Sequence, residues 1–170
     1  MIKRLVSILL VIVLFSVSGC SSHVSSNESG KVVFTAKDLD GKEFTSEQVF
    51  KDNKITMVNV WATYCPPCIN EMPMLETLSK KFSEGGYGMI GIIADGDTKS
   101  KDAKEIIKAT GVTYPNICLN EDLQRLLQIQ VTPTTYFVDK KGNILGDPIY
   151  GARKESQYKY ELESRLSLIE

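Results

Sequence analysis

The 170-residue sequence holds one histidine, His23, and four cysteines, of which only Cys65 and Cys68 lie close together. Those two scarcities exclude whole classes of site. A structural zinc centre needs four ligands, and the chain offers neither a second cysteine pair nor a histidine beyond His23. Covalent haem attachment needs a histidine directly after the second cysteine, where Ile69 stands. A copper-binding cysteine pair completed by a distant histidine fails on the same ground. No metal and no cofactor is therefore expected. A disulfide-stapled scaffold would need more cysteines than these. Neither sign of charge is in excess, with 20 basic residues against 21 acidic ones, and no basic patch invites nucleic acid. Internal repeats are not apparent.

What is present begins with a compartment signal. Lys3 and Arg4 precede an unbroken apolar run from Leu5 to Phe15, shorter than the roughly 20 residues that a bilayer span requires. A charged start, a short apolar middle and small residues before a cleavage point make up an export signal. The segment Val17-Ser18-Gly19-Cys20 resembles the lipobox of bacterial lipoproteins, which implies a signal peptide over residues 1–19 and acylation of Cys20 as the first mature residue. Cys20 is then a lipid anchor rather than a redox residue, and the expected location is the extracytoplasmic face of the cell membrane. Residues 20–30 are serine-rich, without apolar period, and read as a flexible tether that contains His23. Without Lys3 and Arg4 the basic residues fall to 18 against 21 acidic ones, a net charge of −3. Residues 31–170 have the length of one domain with room for a core, expected to be monomeric.

Along that domain, Lys31 to Thr35 alternates at the strand period and Asp40-Gly41 offers a hairpin turn leading to Phe44, so a small N-terminal hairpin is predicted. Ile55 to Trp61 is a nearly continuous apolar, β-branched run, the pattern of a strand buried on both faces. It is the predicted central strand. Directly after it comes Cys65-Pro66-Pro67-Cys68, and then Ile69, Met72, Leu75, Leu78 and Phe82 at helical spacing. The alternation continues with a strand at 89–94, a helix at 101–109, a strand at 114–119 and a short helix at 123–127. Strands at 134–138 and 144–150, joined by a turn at Lys141-Gly142, and a helix at 155–168 complete an α/β domain.

Two cysteines separated by two residues at the start of a helix have a specific chemical use. The first sulfur sits at the helix N-terminus, where the macrodipole and free N–H groups favour an anion. Cys65 is therefore the predicted attacking thiolate, its pKa drawn below the roughly 8.5 of a free thiol. Cys68, one turn inward and more buried, would resolve the mixed disulfide. Pro66 and Pro67 each remove an N–H from the first turn, so fewer donors reach the Cys65 sulfur. An inert structural disulfide does not explain placement at a strand-to-helix junction. Cys118, on a predicted strand, reads as a small buried hydrophobe.

On these residues the chain resembles the thioredoxin superfamily, and within it the ResA/TlpA-like branch of membrane-anchored thiol-disulfide oxidoreductases. The resemblance rests on Trp61-Ala62-Thr63-Tyr64-Cys65-Pro66-Pro67-Cys68, on Glu71-Met72-Pro73 and on Val131-Thr132-Pro133-Thr134. It implies a thioredoxin-like fold, a central mixed sheet flanked by helices with an N-terminal β-hairpin extension. It further implies that Pro133 is cis and faces the cysteines, that Thr132 pairs its backbone with an extended substrate, and that Trp61, Tyr64, Pro66 and Pro67 frame the substrate site. Asn59 occupies the place where ordinary thioredoxins bury an aspartate. An amide cannot take a proton, so Glu71, one turn after Cys68, is the candidate acceptor and matches a glutamate of ResA-like proteins. Tyr64 replaces the tryptophan that ordinary thioredoxins carry there.

The function this implies is reduction of disulfides in exported partner proteins. By resemblance the partners include apocytochrome c or a methionine sulfoxide reductase, and a CcdA/DsbD-type membrane transporter supplies electrons. A disulfide-introducing oxidase is the alternative, against which the doubled proline argues. A peroxiredoxin-like peroxidase would place threonine and proline where Ala62 and Val58 stand. A Sco-type copper chaperone lacks its histidine, and a solute-binding lipoprotein has no need of the cysteine pair.

Overall fold

The computed structural model describes residues 31–169; the expected signal segment, Cys20 and the tether lie outside the described residues. In chain order the elements are β1 (Thr35–Lys37), β2 (Glu43–Thr45), α1 (Ser46–Phe50), β3 (Ile55–Trp61), α2 (Pro66–Ser83), β4 (Gly88–Ile93), α3 (Ser100–Thr110), β5 (Asn116–Cys118), α4 (Glu121–Leu127), β6 (Thr134–Asp139), β7 (Ile149–Tyr150) and α5 (Glu155–Leu166). All seven residues of β3 are buried, which a strand achieves only with neighbours on both edges and layers on both faces. The five-stranded sheet accordingly runs β5-β4-β3-β6-β7, with β3 parallel to β4 and antiparallel to β6. The sheet is mixed and the fold is thioredoxin-like.

Alternation along β3 divides the interior. Ile55, Met57 and Trp61 pack with Met72, Leu75 and Leu78 of α2, Ala103 of α3, and Tyr158 and Leu162 of α5. Val58 and Val60 face the opposite way, into Val32, Phe34, Phe50 of α1, and Leu123 and Leu127 of α4. Asn59 shares the parity of Met57 and Trp61 and therefore points toward α2 and α5. A polar side chain in that layer must find partners there.

The N-terminal hairpin forms with Ala36 opposite Phe44, and Gly41 takes the left-handed conformation (φ 83°) that the turn demands. Its first strand begins later than the alternation of Lys31 to Thr35 predicts. Val32 and Phe34 are buried and Val33 exposed as that alternation requires, but the backbone pairing of Lys31 is an isolated bridge to Asn143 and the ladder starts at Thr35. The strand expected over 144–150 contracts to Ile149–Tyr150, because Gly146 at φ 68° and Pro148 break the ladder after an isolated bridge at Ile144. Helix α1 was not anticipated. Its signal is the capping box in which Thr45 accepts from the Gln48 N–H and the Gln48 side chain accepts from the Thr45 N–H.

One close approach in the sheet yields a stability test. At Gly91 of β4 a Cβ would stand 2.0 Å from Asn116 Oδ1, the atom that accepts the Trp61 indole N–H at 2.9 Å. Gly91→Ala should displace the Asn116 amide, orphan the buried indole and cost about 1–3 kcal/mol. Urea unfolding midpoints of parent and variant, compared at equal slope, measure this.

Candidate active site

The C-terminal end of β3 delivers the chain to the cysteines through a short loop that is tied down twice. Thr63 donates its N–H to Asp95 Oδ1 at 3.1 Å and its hydroxyl to Asp95 Oδ2 at 2.5 Å. Cys65 N–H donates to the Ala62 carbonyl at 3.1 Å. Cys65 is then the N-cap of α2, extended at φ −107° and ψ 91°, with Pro66 and Pro67 as the first two helical residues. Those prolines have no N–H, so Cys68 carries the first amide able to reach the cap sulfur, at 3.3 Å from Cys65 Sγ. Cys65 and Cys68 form a disulfide with Cα atoms 5.3 Å apart. Cys68 has no exposed surface and Cys65 only 5%, so the outer sulfur is much less open than its place at a helix end predicts. Tyr64, by contrast, is 73% exposed, and Pro66 and Pro67 are exposed beside it.

Beneath the disulfide lies a buried polar cluster. Glu71, one turn after Cys68 on α2, is 6% exposed, and three donors converge on its carboxylate. Asn59 Nδ2 donates to Oε1 at 3.1 Å, while the Tyr158 hydroxyl at 2.9 Å and the Arg153 N–H at 3.3 Å donate to Oε2. Asn59 also donates to Thr135 Oγ1 at 3.0 Å, and that hydroxyl stands 3.5 Å from the Tyr158 hydroxyl. Burial raises the Glu71 pKa above the ordinary carboxylate value, and the bonds from Tyr158, Asn59 and Arg153 oppose that rise without cancelling it. The phenol of Tyr158 is raised too, by burial and then by the Glu71 charge. Glu71 makes no hydrogen bond to Cys68 in this oxidised form. Tyr158, Thr135 and Arg153 are members that motif reading missed. Tyr158 carried one usable signal, a hydroxyl-bearing aromatic on the helix expected to close the domain.

The loop before β6 completes the surface. The Thr132–Pro133 peptide bond is cis. Pro133 is buried and its carbonyl accepts from the Gly151 N–H at 2.8 Å, while Thr132 is half-buried and Val131 exposed. The Thr134 hydroxyl donates to the Val131 carbonyl at 2.7 Å, and no hydrogen bond among the described residues engages the Thr132 N–H or C=O. A groove of about 490 Å³ runs from Tyr64 past Ile129 and Val131 to Thr132. Trp61 does not belong to it. The side chain is 0% exposed, embedded between α2 and the sheet with its N–H on Asn116, so the expectation that it contacts substrate is corrected.

Cys118 is half-buried at the end of β5, and burial, together with Asp97 and Asp38, pushes its thiol up to about 11. That shift favours the protonated thiol at neutral pH, the less nucleophilic form. Among the described residues no group of three His, Cys, Asp or Glu could hold a metal ion.

Comparison with known proteins agrees with this geometry. The Redoxin family pattern matches residues 26–162. The thiol-disulfide oxidoreductase ResA of Oceanobacillus iheyensis is 31% identical over 148 residues, covering 81% of this chain and 76% of the relative. The thioredoxin-like protein YneN of Bacillus subtilis is 29% identical over 136 residues, 76% of each chain. Among solved structures, a thioredoxin family thiol:disulfide interchange protein from Chlorobium tepidum superposes with a TM-score of 0.69 at 26% identity, over 81% of this chain and 95% of that one. StoA from Bacillus subtilis shares the fold at a TM-score of 0.63 and 21% identity, over 76% and 96% of the two chains.

The buried carboxyl makes a signed prediction. A carboxyl whose pKa is higher folded than unfolded holds its proton more tightly in the folded state. Stability contributed by Glu71 is therefore full below its unfolded value, near 4.5, and is lost as pH rises through the raised folded value. Glu71→Gln should remove that fall and flatten the curve in this window. Glu76 acts in the opposite direction and at lower pH: although burial opposes it, Lys80 and Thr113 hold its carboxyl at about 2. Urea midpoints measured against pH for parent and variant separate the two; an unchanged slope above pH 4.5 would show that Glu71 does not titrate there.

Proposed function

The chain belongs to the Redoxin family as a ResA/TlpA-like member of the thioredoxin superfamily, a thiol-disulfide oxidoreductase, and we propose that it works as a membrane-anchored reductase of exported partner proteins. Thiol-disulfide exchange runs through Cys65 and Cys68. The observation that carries the reducing direction is the stripped helix start. With Pro66 and Pro67 in the first two positions, a single N–H at 3.3 Å serves the Cys65 sulfur. A thiolate served by so few donors is weakly stabilised, and a pair whose reduced form is weakly stabilised gives its electrons away.

In that reading, reduced Cys65 as thiolate attacks one sulfur of a partner disulfide, forming a mixed disulfide and releasing the first partner thiolate, which takes a proton from solvent. Cys68 then surrenders its proton and attacks Cys65 Sγ, which closes the Cys65–Cys68 bond and frees the second partner sulfur as a thiolate that is protonated in its turn. Two electrons and two protons pass to the partner. Asn59 cannot accept the Cys68 proton, and Glu71, held beside it with a raised pKa, is the acceptor this chain offers, directly or through one water. Thr132, with its peptide group uncommitted, would pair with an extended partner segment while Tyr64, Pro66 and Pro67 form the rim. A membrane dithiol donor of CcdA/DsbD type would restore the reduced pair, and apocytochrome c or a methionine sulfoxide reductase is the partner class. Acylation of Cys20 would hold the enzyme at the extracytoplasmic membrane face.

Three measurements test this reading. Equilibrated with glutathione, the pair should show a potential below the roughly −180 mV of oxidising isomerases, and a value near −120 mV would make the protein an oxidase. Cys68→Ser should accumulate mixed disulfides through Cys65 and Cys65→Ser almost none; equal trapping by both removes the assigned order. Cys20→Ala should leave insulin reduction by dithiothreitol intact and shift the protein out of the membrane fraction, or stop its processing.

A further inference from the structure

The end of the sheet opposite the cysteines has a character of its own. Lys51 and Lys54 precede β3, and Lys140 and Lys141 follow β6, which the pairing of Ile55 with Asp139 brings to the same place. All four are exposed. Among the described residues none of them carries an ion pair, whereas Lys80, Lys81, Lys99, Lys104 and Lys159 each do. They line a groove of about 550 Å³ together with Asp52, Asp139 and Ile169. The Asp139 carboxylate is already engaged, accepting the N–H groups of Lys141 and Asn143 and the Asn143 side-chain amide. The exposed acids nearby are Asp52, Glu47, whose carbonyl accepts the Lys51 N–H one turn on, and Glu84, two residues before the Gly86 carbonyl that accepts from Lys54 N–H. Among the charged residues that line the groove itself, four lysines stand against Asp52 and Asp139, a surplus of two.

Two further observations converge on this end. The chain beyond α5 leaves Leu168 and Ile169 63% and 38% exposed, an apolar tip beside the lysines. The described chain also starts here, since Lys31 bridges to Asn143 and the Val32 N–H donates to the Gly142 carbonyl at 2.7 Å. The seven residues of β3, about 23 Å at roughly 3.3 Å per residue, separate Lys54 from the loop that carries Cys65.

The geometry points to this lysine-ringed end as a docking face for anionic phospholipid headgroups, with Leu168 and Ile169 entering the interface. The inference rests on the membrane-anchored reading above. Residues 21–30 reach at most about 36 Å when fully extended, so an anchor at Cys20 holds the lysines close to the bilayer at high effective concentration. Basic residues with an apolar tip are what such a surface binds, and the attraction decays within about 8 Å at physiological salt. Docked in this way, the Cys65–Cys68 pair faces away from the membrane toward soluble partners.

The experiment uses the full chain with vesicles of phosphatidylcholine alone or mixed with phosphatidylglycerol, read by flotation and by amide hydrogen exchange. The charge-reversed variant carries Lys51→Glu, Lys54→Glu, Lys140→Glu and Lys141→Glu, with insulin reduction as the control for folding. Flotation with both vesicle types, with exchange at residues 51–54 and 140–142 slowed at least about fivefold only on phosphatidylglycerol, is the expected result; fivefold is what one lysine is worth at an anionic surface. The slowing should vanish in the variant and at high salt. Flotation with both types but no lipid-dependent slowing overturns docking and leaves anchoring intact. Flotation on phosphatidylglycerol alone, abolished in the variant, upholds docking and removes the anchor. Flotation with neither removes both.

Discussion

Burial of β3 on both faces and both edges is the constraint from which the rest follows. A strand with no exposed residue has to be flanked by β4 and β6 and covered by α2 and α5 on one side and α1 and α4 on the other. Its C-terminal end then opens directly onto the first turn of α2, and the cap position falls on Cys65. The same strand carries Asn59 inward beneath that turn, so the redox sulfurs and the polar cluster below them are positioned by one element. A register slip of one residue would send Asn59 to the Val58 side of the sheet and leave the Glu71 carboxylate short of a donor.

The buried cluster carries a cost in stability. A carboxylate enclosed by α2, α5 and the sheet costs free energy, and the three donors from Asn59, Tyr158 and Arg153 reduce that cost without erasing it. What remains is a carboxyl whose proton affinity is raised above that of an ordinary glutamate. Two of the three donors, Arg153 and Tyr158, belong to α5 and the residues leading into it, while Asn59 comes from β3, so the proton affinity of Glu71 depends on how α5 docks.

Much of this was legible in the sequence because it is carried by local patterns. The seven-residue apolar run at Ile55 to Trp61, the cysteine pair after it and the helical spacing to Phe82 each obey short-range rules, and the structure reproduces their bounds closely. Glu71 was legible through its distance from Cys68 and through Asn59 standing in for an acid. What escaped is non-local. Tyr158 meets Glu71 across 87 positions, and Thr63 meets Asp95 across 32, contacts that no spacing rule encodes. Trp61 escaped for the opposite reason: its place in a motif suggested contact with substrate, whereas its parity along β3, shared with Met57, already directed it into the core.

The two edges of the sheet are treated differently from its centre. On one side the hairpin lays Asp38 against Ile117, so the outer rim of β5 is partly covered; on the other, β7 is two residues long and is preceded by Gly146 and Pro148. A short, proline-bordered edge and a roofed one offer little backbone for another chain to zip onto. For the partner-reducing activity proposed above, such edges would keep extended partner segments, and copies of the chain itself, from joining the sheet, and would leave the brief uncommitted peptide at Thr132 as the place where a partner strand could pair and let go.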